Sequence, residues 1–256
     1  MIEKQLADSL TSKAFVDPAS GEIHYHYYWK RNKAPKIEIT GLLPNKLSGL
    51  SLIQKDLGNA LRWIKMAKEM TPENMGSFDG TYYLAENRNT FDIVKALFVA
   101  SLTFYGKCFT EANGRCAQIS RDWLDAEHKK IHDYYMKYRH NFAAHSGDEK
   151  IELAKTFVLL HPKKKNEVLP YLPTIRMQPD LVLNSDDESS FEELIKYVIE
   201  LVSKKYNDLA LKIVDELVMV KDVSFWREKA RLGETVELNL PKKNLQNRYK
   251  KREQPN

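Results

Sequence analysis

Apolar residues recur at helical spacing in four long stretches of this 256-residue chain, and that pattern restricts its fold more than any other feature. The stretch over 90–109 offers so little polar surface that we expect it to form the central, most buried helix. The stretches over 50–70, 120–144 and 188–220 are amphipathic. Because such helices are stable when they bury their apolar faces against one another, the sequence predicts a mainly α protein built on a four-helix bundle.

The first fifty residues predict β-structure next to the helices. After a short helical start, residues 22–29 are rich in aromatic strand formers, and residues 36–40 alternate between polar and apolar. This pattern predicts an N-terminal β-hairpin. Tyr25, Tyr27 and Trp29 share one strand face, and we expect that face to pack against a core, with a platform for stacking bases as the alternative.

A second β-region is predicted between the third and fourth helices. Residues 156–160 and 175–183 have the composition of strands and are joined by a loop rich in Lys and Pro, which predicts a β-hairpin insertion before the last long helix.

The predicted elements define the domain organisation. We expect an N-terminal segment over 1–49 that contains the first hairpin. A helical bundle over 50–225 follows, with the two-stranded insertion at about 155–184. A C-terminal extension over 226–256 completes the chain.

The net charge of +5 comes from the C-terminal tail. Residues 241–256 hold six Lys and Arg residues against one Glu, and the rest of the chain is neutral. With almost no apolar content, this tail is expected to be disordered. Its Lys250, Lys251 and Arg252 are candidates for weak contacts with RNA phosphates, and a solvated terminus without function is the alternative.

The sequence favours a cytoplasmic protein without membrane contact. Its longest nearly apolar run, 96–105, is shorter than the roughly 20 residues that span a bilayer, and the charged N-terminus does not resemble a signal peptide. The two cysteines, Cys108 and Cys116, cannot form a disulfide framework, so we expect buried thiols in a reducing compartment.

The candidate chemistry lies at the end of the third helix. One stripe of this helix faces inward or toward a partner, because its members alternate in spacings of four and three: Leu124, His128, Ile131, Tyr135, Tyr138, Phe142 and His145. Arg139 precedes His145 by six residues, and its long side chain can reach the same end of the helix. An imidazole beside a permanent cation suits phosphodiester chemistry, since the His moves a proton and the Arg stabilises the charged phosphorane.

Residues 138–147, Tyr-Arg-His-Asn-Phe-Ala-Ala-His-Ser-Gly, resemble the signature of the HEPN superfamily, an Arg and a His separated by a few residues near the end of a bundle helix. Arg139 and His145 correspond to the catalytic pair, and His140 to the polar position beside the Arg. Arg121 and His128 also match the bare pattern, but only the later pair lies at the end of a long helix.

The resemblance implies an HEPN-like four-helix bundle and a function. Members of the superfamily are typically metal-independent endoribonucleases of toxin, phage-defence or RNA-processing systems, and they act as homodimers whose Arg and His residues face one shared cleft. By resemblance, we expect RNA as the substrate, no cofactor, a homodimer, and an antitoxin or regulatory protein as a further partner. The alternative is a non-catalytic HEPN-like module that binds nucleic acid or a partner protein.

A metal site is a third possibility. Asp125, His128 and His132 lie at positions i, i+3 and i+7, so one helical face offers a carboxylate and two imidazoles. No second helix carries a matching carboxylate and histidine pair, and we favour His128 in the buried stripe with His132 at its edge.

Overall fold

The computed structural model describes residues 2–71, 88–112, 114–140, 153–164, 167–177 and 191–239. The strands, in chain order, are β1 (Ile2–Ala7), β2 (Leu10–Val16), β3 (Ile23–Trp29), β4 (Asn32–Ala34), β5 (Ile39–Thr40), β6 (Leu153–Thr156), β7 (Thr174–Met177) and β8 (Val236–Glu237). The helices are α1 (Leu42–Met70), α2 (Arg88–Cys108), α3 (Ala126–Tyr138), α4 (Phe191–Ile213) and α5 (Val223–Leu232). The protein is therefore mainly helical with an N-terminal antiparallel sheet, as the sequence predicts.

The contacts of the chain divide it into two units. One consists of residues 1–47 and 208–256, and the other of residues 48–207. The second unit contains α2, α3, β6 and β7 and most of α1 and α4. The predicted domain boundaries at 49/50 and 225/226 remain predictions.

In the unit formed by 48–207, helices α1 to α4 share one core. α1 buries a face with members three or four residues apart: Leu50, Ile53, Leu57, Ala60, Ile64 and Ala67. Against it, the Ser101 hydroxyl of α2 donates a hydrogen bond of 2.8 Å to the Ala60 carbonyl. The ring of Phe191, at the start of α4, contacts Phe98, Tyr105 and Tyr135. This aromatic cluster joins α2, α3 and α4.

α2 buries Val94, Phe98, Leu102 and Tyr105, while Ile93 is 47% exposed and Lys107 faces solvent, and its rank as the most buried helix stays a prediction. One expectation about these helices is wrong. The third helix does not run without a break from 120, because a 3-10 turn at Arg121–Trp123 precedes α3. Residues 141–150, where the predicted end of that helix lies, fall outside the described residues.

The N-terminal region is a four-stranded antiparallel sheet in the order β1-β2-β3-β4. The expected helical start is wrong, because residues 2–7 pair with β2 as strand β1. The expected partner strand at 36–40 is also wrong: β3 pairs with β2 and β4, and β5 pairs in parallel with β8. Of the described side chains in β1 to β4, only Ser12 is buried.

A second small core forms in the same unit. It centres on Leu217, Val236 and Leu238. The half-buried residues packed against it are Ile37, Ile39, Leu43, Val218, Phe225 and Trp226. Gly41, at φ 117°, allows the chain to approach Leu238, because an added Cβ would lie 3.1 Å from the Leu238 carbonyl carbon. Helix α5, which ends at Gly233 in the left-handed conformation, was not predicted from the sequence.

The predicted β-insertion before α4 is present as the antiparallel pair β6–β7. β6 covers 153–156 instead of the predicted 156–160, and residues 178–183 of the second predicted strand lie outside the described residues. An isolated bridge joins Leu160 and Val168 in the connecting segment. Among the helices that the structure describes, none combines the length and apolar character that a membrane crossing requires.

Candidate functional site

The start of α3 is fixed by a charged cap. The Asp125 carboxylate accepts a hydrogen bond of 2.9 Å from the His128 backbone N–H and also contacts the His128 Nδ1 at 2.8 Å. Hydrogen bonding from His128 lowers the pKa of Asp125 to about 2. The His128 ring stacks on Tyr197 of α4, with centroids 3.5 Å apart. His128 is therefore held against α4 and is partly buried.

The middle of α3 is anchored by a buried histidine. The His132 Nδ1 lies 2.8 Å from the Tyr105 hydroxyl oxygen, and its ring packs on Phe109. Burial lowers the pKa of His132 and raises that of Tyr105, so both groups stay neutral at pH 7. The expectation that His132 lies at the edge of the stripe is wrong, because His132 is buried. His128 packs against α4, with its side chain 26% exposed.

The end of α3 carries Arg139. This residue keeps helical angles (φ −57°, ψ −45°), and its N–H donates to the carbonyls of Tyr135 and Met136. Its half-buried side chain crosses α2 at Gly106, where an added Cβ would lie 2.7 Å from the Arg139 Nε. Glycine at 106 therefore gives the arginine its path over the neighbouring helix. His140 follows in a π-type turn and is exposed.

The two arginines that match the motif differ in their partners. Arg121 donates two hydrogen bonds to the Asp133 carboxylate, one of them 2.7 Å from Nε to Oδ1. Within the described ranges, no carboxylate forms an ion pair with Arg139. A phosphate would have to displace a carboxylate at Arg121, whereas at Arg139 it would displace none that belongs to the described residues.

Several predicted site residues lie outside the residues that the structure describes. His145 lies in the segment 141–150, outside the described residues, as do Lys250, Lys251 and Arg252 of the tail. The distance between Arg139 and His145 therefore stays a prediction.

The three residues of the metal hypothesis do not converge. Asp125 and His128 contact each other, but His132 is buried against Tyr105. In the part of the chain that the structure describes, no group of three His, Cys, Asp or Glu residues could hold a metal ion.

The role of Gly106 was not predicted from the sequence, and the prediction for the aromatic strand is wrong. An isolated glycine inside a strongly apolar helical stretch was the available signal, because such a glycine usually has a packing reason. On β3, Tyr25 is 48% and Trp29 is 56% exposed, so the expected packing of that face against a core is wrong.

The expectation of two buried thiols is wrong for Cys116, which is exposed. Cys108 is buried, and burial raises its pKa to about 12.

None of the protein-family models, curated proteins or solved structures compared with the chain matches it.

Proposed function

We propose that this protein is a metal-independent endoribonuclease of the HEPN type, with Arg139 and His145 as catalytic residues and His140 as the polar neighbour. One observation carries the proposal. Arg139 lies half-buried at the end of α3, over Gly106, and has no carboxylate partner among the described residues. A cation in this state is available to a phosphate. The motif supplies a histidine six residues later in the chain.

The proposed reaction uses the 2′-hydroxyl of RNA as the nucleophile. His145 accepts the proton of that hydroxyl while its oxygen forms a bond to the adjacent phosphorus. The bond from phosphorus to the 5′-oxygen breaks, and an imidazolium returns a proton to that oxygen. Arg139 binds the phosphate and stabilises its charge in the transition state. The products are a 2′,3′-cyclic phosphate and a 5′-hydroxyl.

The resemblance also supplies the biological setting of the proposal. Two copies of the chain would form a homodimer in which both Arg and His pairs line one cleft. The role would lie in phage defence, in a toxin system or in RNA processing in the cytoplasm, with an antitoxin or regulatory protein as partner. Sedimentation at twice the monomer mass is the expected result for the free protein.

The decisive experiment measures RNA cleavage in the presence of a chelator. The wild type should produce 2′,3′-cyclic phosphate ends and leave DNA of the same sequence intact. Arg139→Ala and His145→Ala should each lower kcat by about 100-fold or more, since each removes a group that acts in the transition state. Arg121→Ala is the matched control, because this arginine is already paired with Asp133.

Three results would reject the proposal: a requirement for metal, equal cleavage of DNA, or full activity of both variants. Loss of activity in Arg121→Ala alone would move the site to the start of α3. RNA binding without any cleavage would favour the alternative, a non-catalytic module that binds nucleic acid or a partner protein.

Gly106 offers a test of how Arg139 is positioned. Gly106→Ala places a methyl group where the Arg139 side chain lies, so the guanidinium must move, and kcat should fall by about tenfold or more. The variant should not be less stable, because alanine is favoured over glycine inside a helix by roughly 1 kcal/mol. Gly58→Ala in α1 is the control, since an added Cβ there meets no atom within 4 Å. Unchanged kcat in Gly106→Ala would remove Gly106 from the site.

A further inference from the structure

The face of β3 that carries Tyr25 and Trp29 is open although it is apolar. In the antiparallel register, Val16 lies opposite Ile23, and Leu10 opposite Trp29, so these residues share that face. Val16 is 64% and Ile23 56% exposed. Exposed aromatic and aliphatic side chains on adjacent strands form a contiguous surface, and such surfaces mark interaction sites.

Cations border this face on two sides. Residues 30–36 contain Lys30, Arg31, Lys33 and Lys36 and no acidic residue. The two-residue turn Lys30–Arg31 joins β3 to β4 directly after Trp29. The Lys36 Nζ donates a hydrogen bond of 3.0 Å to the Tyr25 carbonyl oxygen, which fixes an ammonium group at the strand edge beside Tyr25.

The acidic residues of the region lie elsewhere. Glu3 pairs with Lys13, on the opposite face of the sheet from Tyr25. Asp8, Asp17 and Glu22 belong to the turns between strands. At the strand positions of the Tyr25 face, the charge is therefore positive or absent, which suits a polyanion and disfavours a basic partner.

The spacing of the aromatic residues fits unstacked bases. Tyr25, half-buried Tyr27 and Trp29 follow one another along the strand at about 6.6 Å. That distance is about twice the 3.4 Å step of a stacked strand. Single-stranded RNA can spread its bases apart and stack them on aromatic side chains of a sheet.

We propose that the β3 face forms a stacking platform for single-stranded RNA, with Tyr25 and Trp29 as the base-stacking residues and Lys30, Arg31 and Lys36 as the phosphate contacts. The choice of RNA rather than DNA rests on the proposed function. The platform would bind the RNA strand that is cleaved at Arg139. Its residues would take no part in the chemical step.

The test is a binding titration with a fluorescent 2′-O-methyl oligouridine of about 12 nucleotides, within the range that such platforms cover and without a 2′-hydroxyl to react. Tyr25→Ala and Trp29→Ala should each weaken binding by about fivefold to a hundredfold. Tyr171→Ala, at a 67% exposed tyrosine near β7, is the matched control and should leave the Kd unchanged. Trp29→Phe should keep most of the affinity, because it retains an aromatic ring, and this separates stacking from a folding defect.

The cations are tested by salt dependence. In the double variant Lys30→Gln, Arg31→Gln, the plot of log K for oligonucleotide binding against log salt concentration should be less steep by about 1.4. That is the value for two phosphate contacts on a single strand.

The outcomes distinguish this proposal from the proposed function. Affinity that is insensitive to Tyr25→Ala and Trp29→Ala, or equally reduced by Tyr171→Ala, overturns the platform even if cleavage depends on Arg139. Platform-dependent binding by a protein that cleaves no RNA overturns the nuclease and leaves the platform in place. No measurable binding of the oligonucleotide overturns the platform as well.

Discussion

The helices α1 to α4 and the antiparallel β-regions differ in how far they bury the same types of residue. The helices bury a core of aliphatic and aromatic residues, although Leu52, Ile93 and Tyr134 are exposed, and polar groups near the core have partners, as His132 has in Tyr105. In the sheet β1 to β4 and in the segment that joins β6 to β7, side chains of the same types are exposed, among them Trp29, Leu160 and Tyr171. Stability is therefore expected to depend on the helices, whereas the β-regions present side chains for contact.

Removing a buried charge should give the largest effect. Asp56 in α1 pairs with Arg115, and the two side chains are 9% and 7% exposed. Asp56→Asn leaves the Arg115 charge buried without its partner and should lower the free energy of unfolding by about 3–5 kcal/mol, measured by urea denaturation. Glu22→Gln removes an acid that contacts His24 at the protein surface, and its effect should stay within about 0.5 kcal/mol. Equal effects of the two variants would contradict the contrast.

The same contrast applies to one pair of isoleucines. Ile195 in α4 is fully buried, whereas Ile23 on β3 is 56% exposed. Ile195→Ala should cost about 2–5 kcal/mol, because it removes buried surface and leaves a cavity. Ile23→Ala should cost less than about 0.5 kcal/mol. A cost above 2 kcal/mol for Ile23→Ala would mean that the β3 face is covered in solution.

The contrast also explains what could be predicted from sequence. The long helices were predictable because each buries one face, so the spacing of apolar residues carries the signal. The same rule failed for β3, where Tyr25 and Trp29 have the composition of a buried strand but are exposed. Composition reports the tendency of a side chain to be buried, and it does not report whether a second layer is present to bury it.

Contacts between residues distant in sequence set the limits of the site prediction. Periodicity assigned His132 to the edge of the stripe, whereas Tyr105 and Phe109 of the neighbouring chain segment bury it. The position of Arg139 at the end of a helix was predictable from the motif, but its passage over Gly106 was not, because that contact joins residues distant in sequence. The partner residue His145 lies outside the described residues and stays a prediction.

The buried histidine should make the stability of the helices depend on pH. Burial lowers the pKa of His132 in the folded state, so below about pH 6.5 the unfolded chain binds the proton more readily. The contribution of a neutral His132 is therefore present above pH 6.5 and is lost as the pH falls from there toward the folded pKa.

His132→Gln should destabilise the protein by roughly 1–3 kcal/mol at pH 7.5, because it disturbs a buried hydrogen bond. The difference in Tm between wild type and variant should shrink as the pH falls below 6.5. His24→Gln, at an exposed position on β3, should have the same Tm as the wild type at each pH. A difference in Tm for His132→Gln that stays constant from pH 7.5 to 5 would show that the imidazole does not titrate in this range.

The smallest effect is expected at the pair β6–β7 and its connecting segment, where Leu160 is 73% exposed. Leu160→Gln should change the free energy of unfolding by no more than about 0.5 kcal/mol, because the side chain buries little surface in the folded chain. Leu102→Gln, at a fully buried position in α2, should cost several kcal/mol, since it places an amide in an apolar core. If Leu160→Gln instead lowers stability by more than 1 kcal/mol, and does so more at high protein concentration, then contact with another copy covers this side chain. The β-regions would then contribute to stability through association, and the contrast with the helices would hold only for the isolated chain.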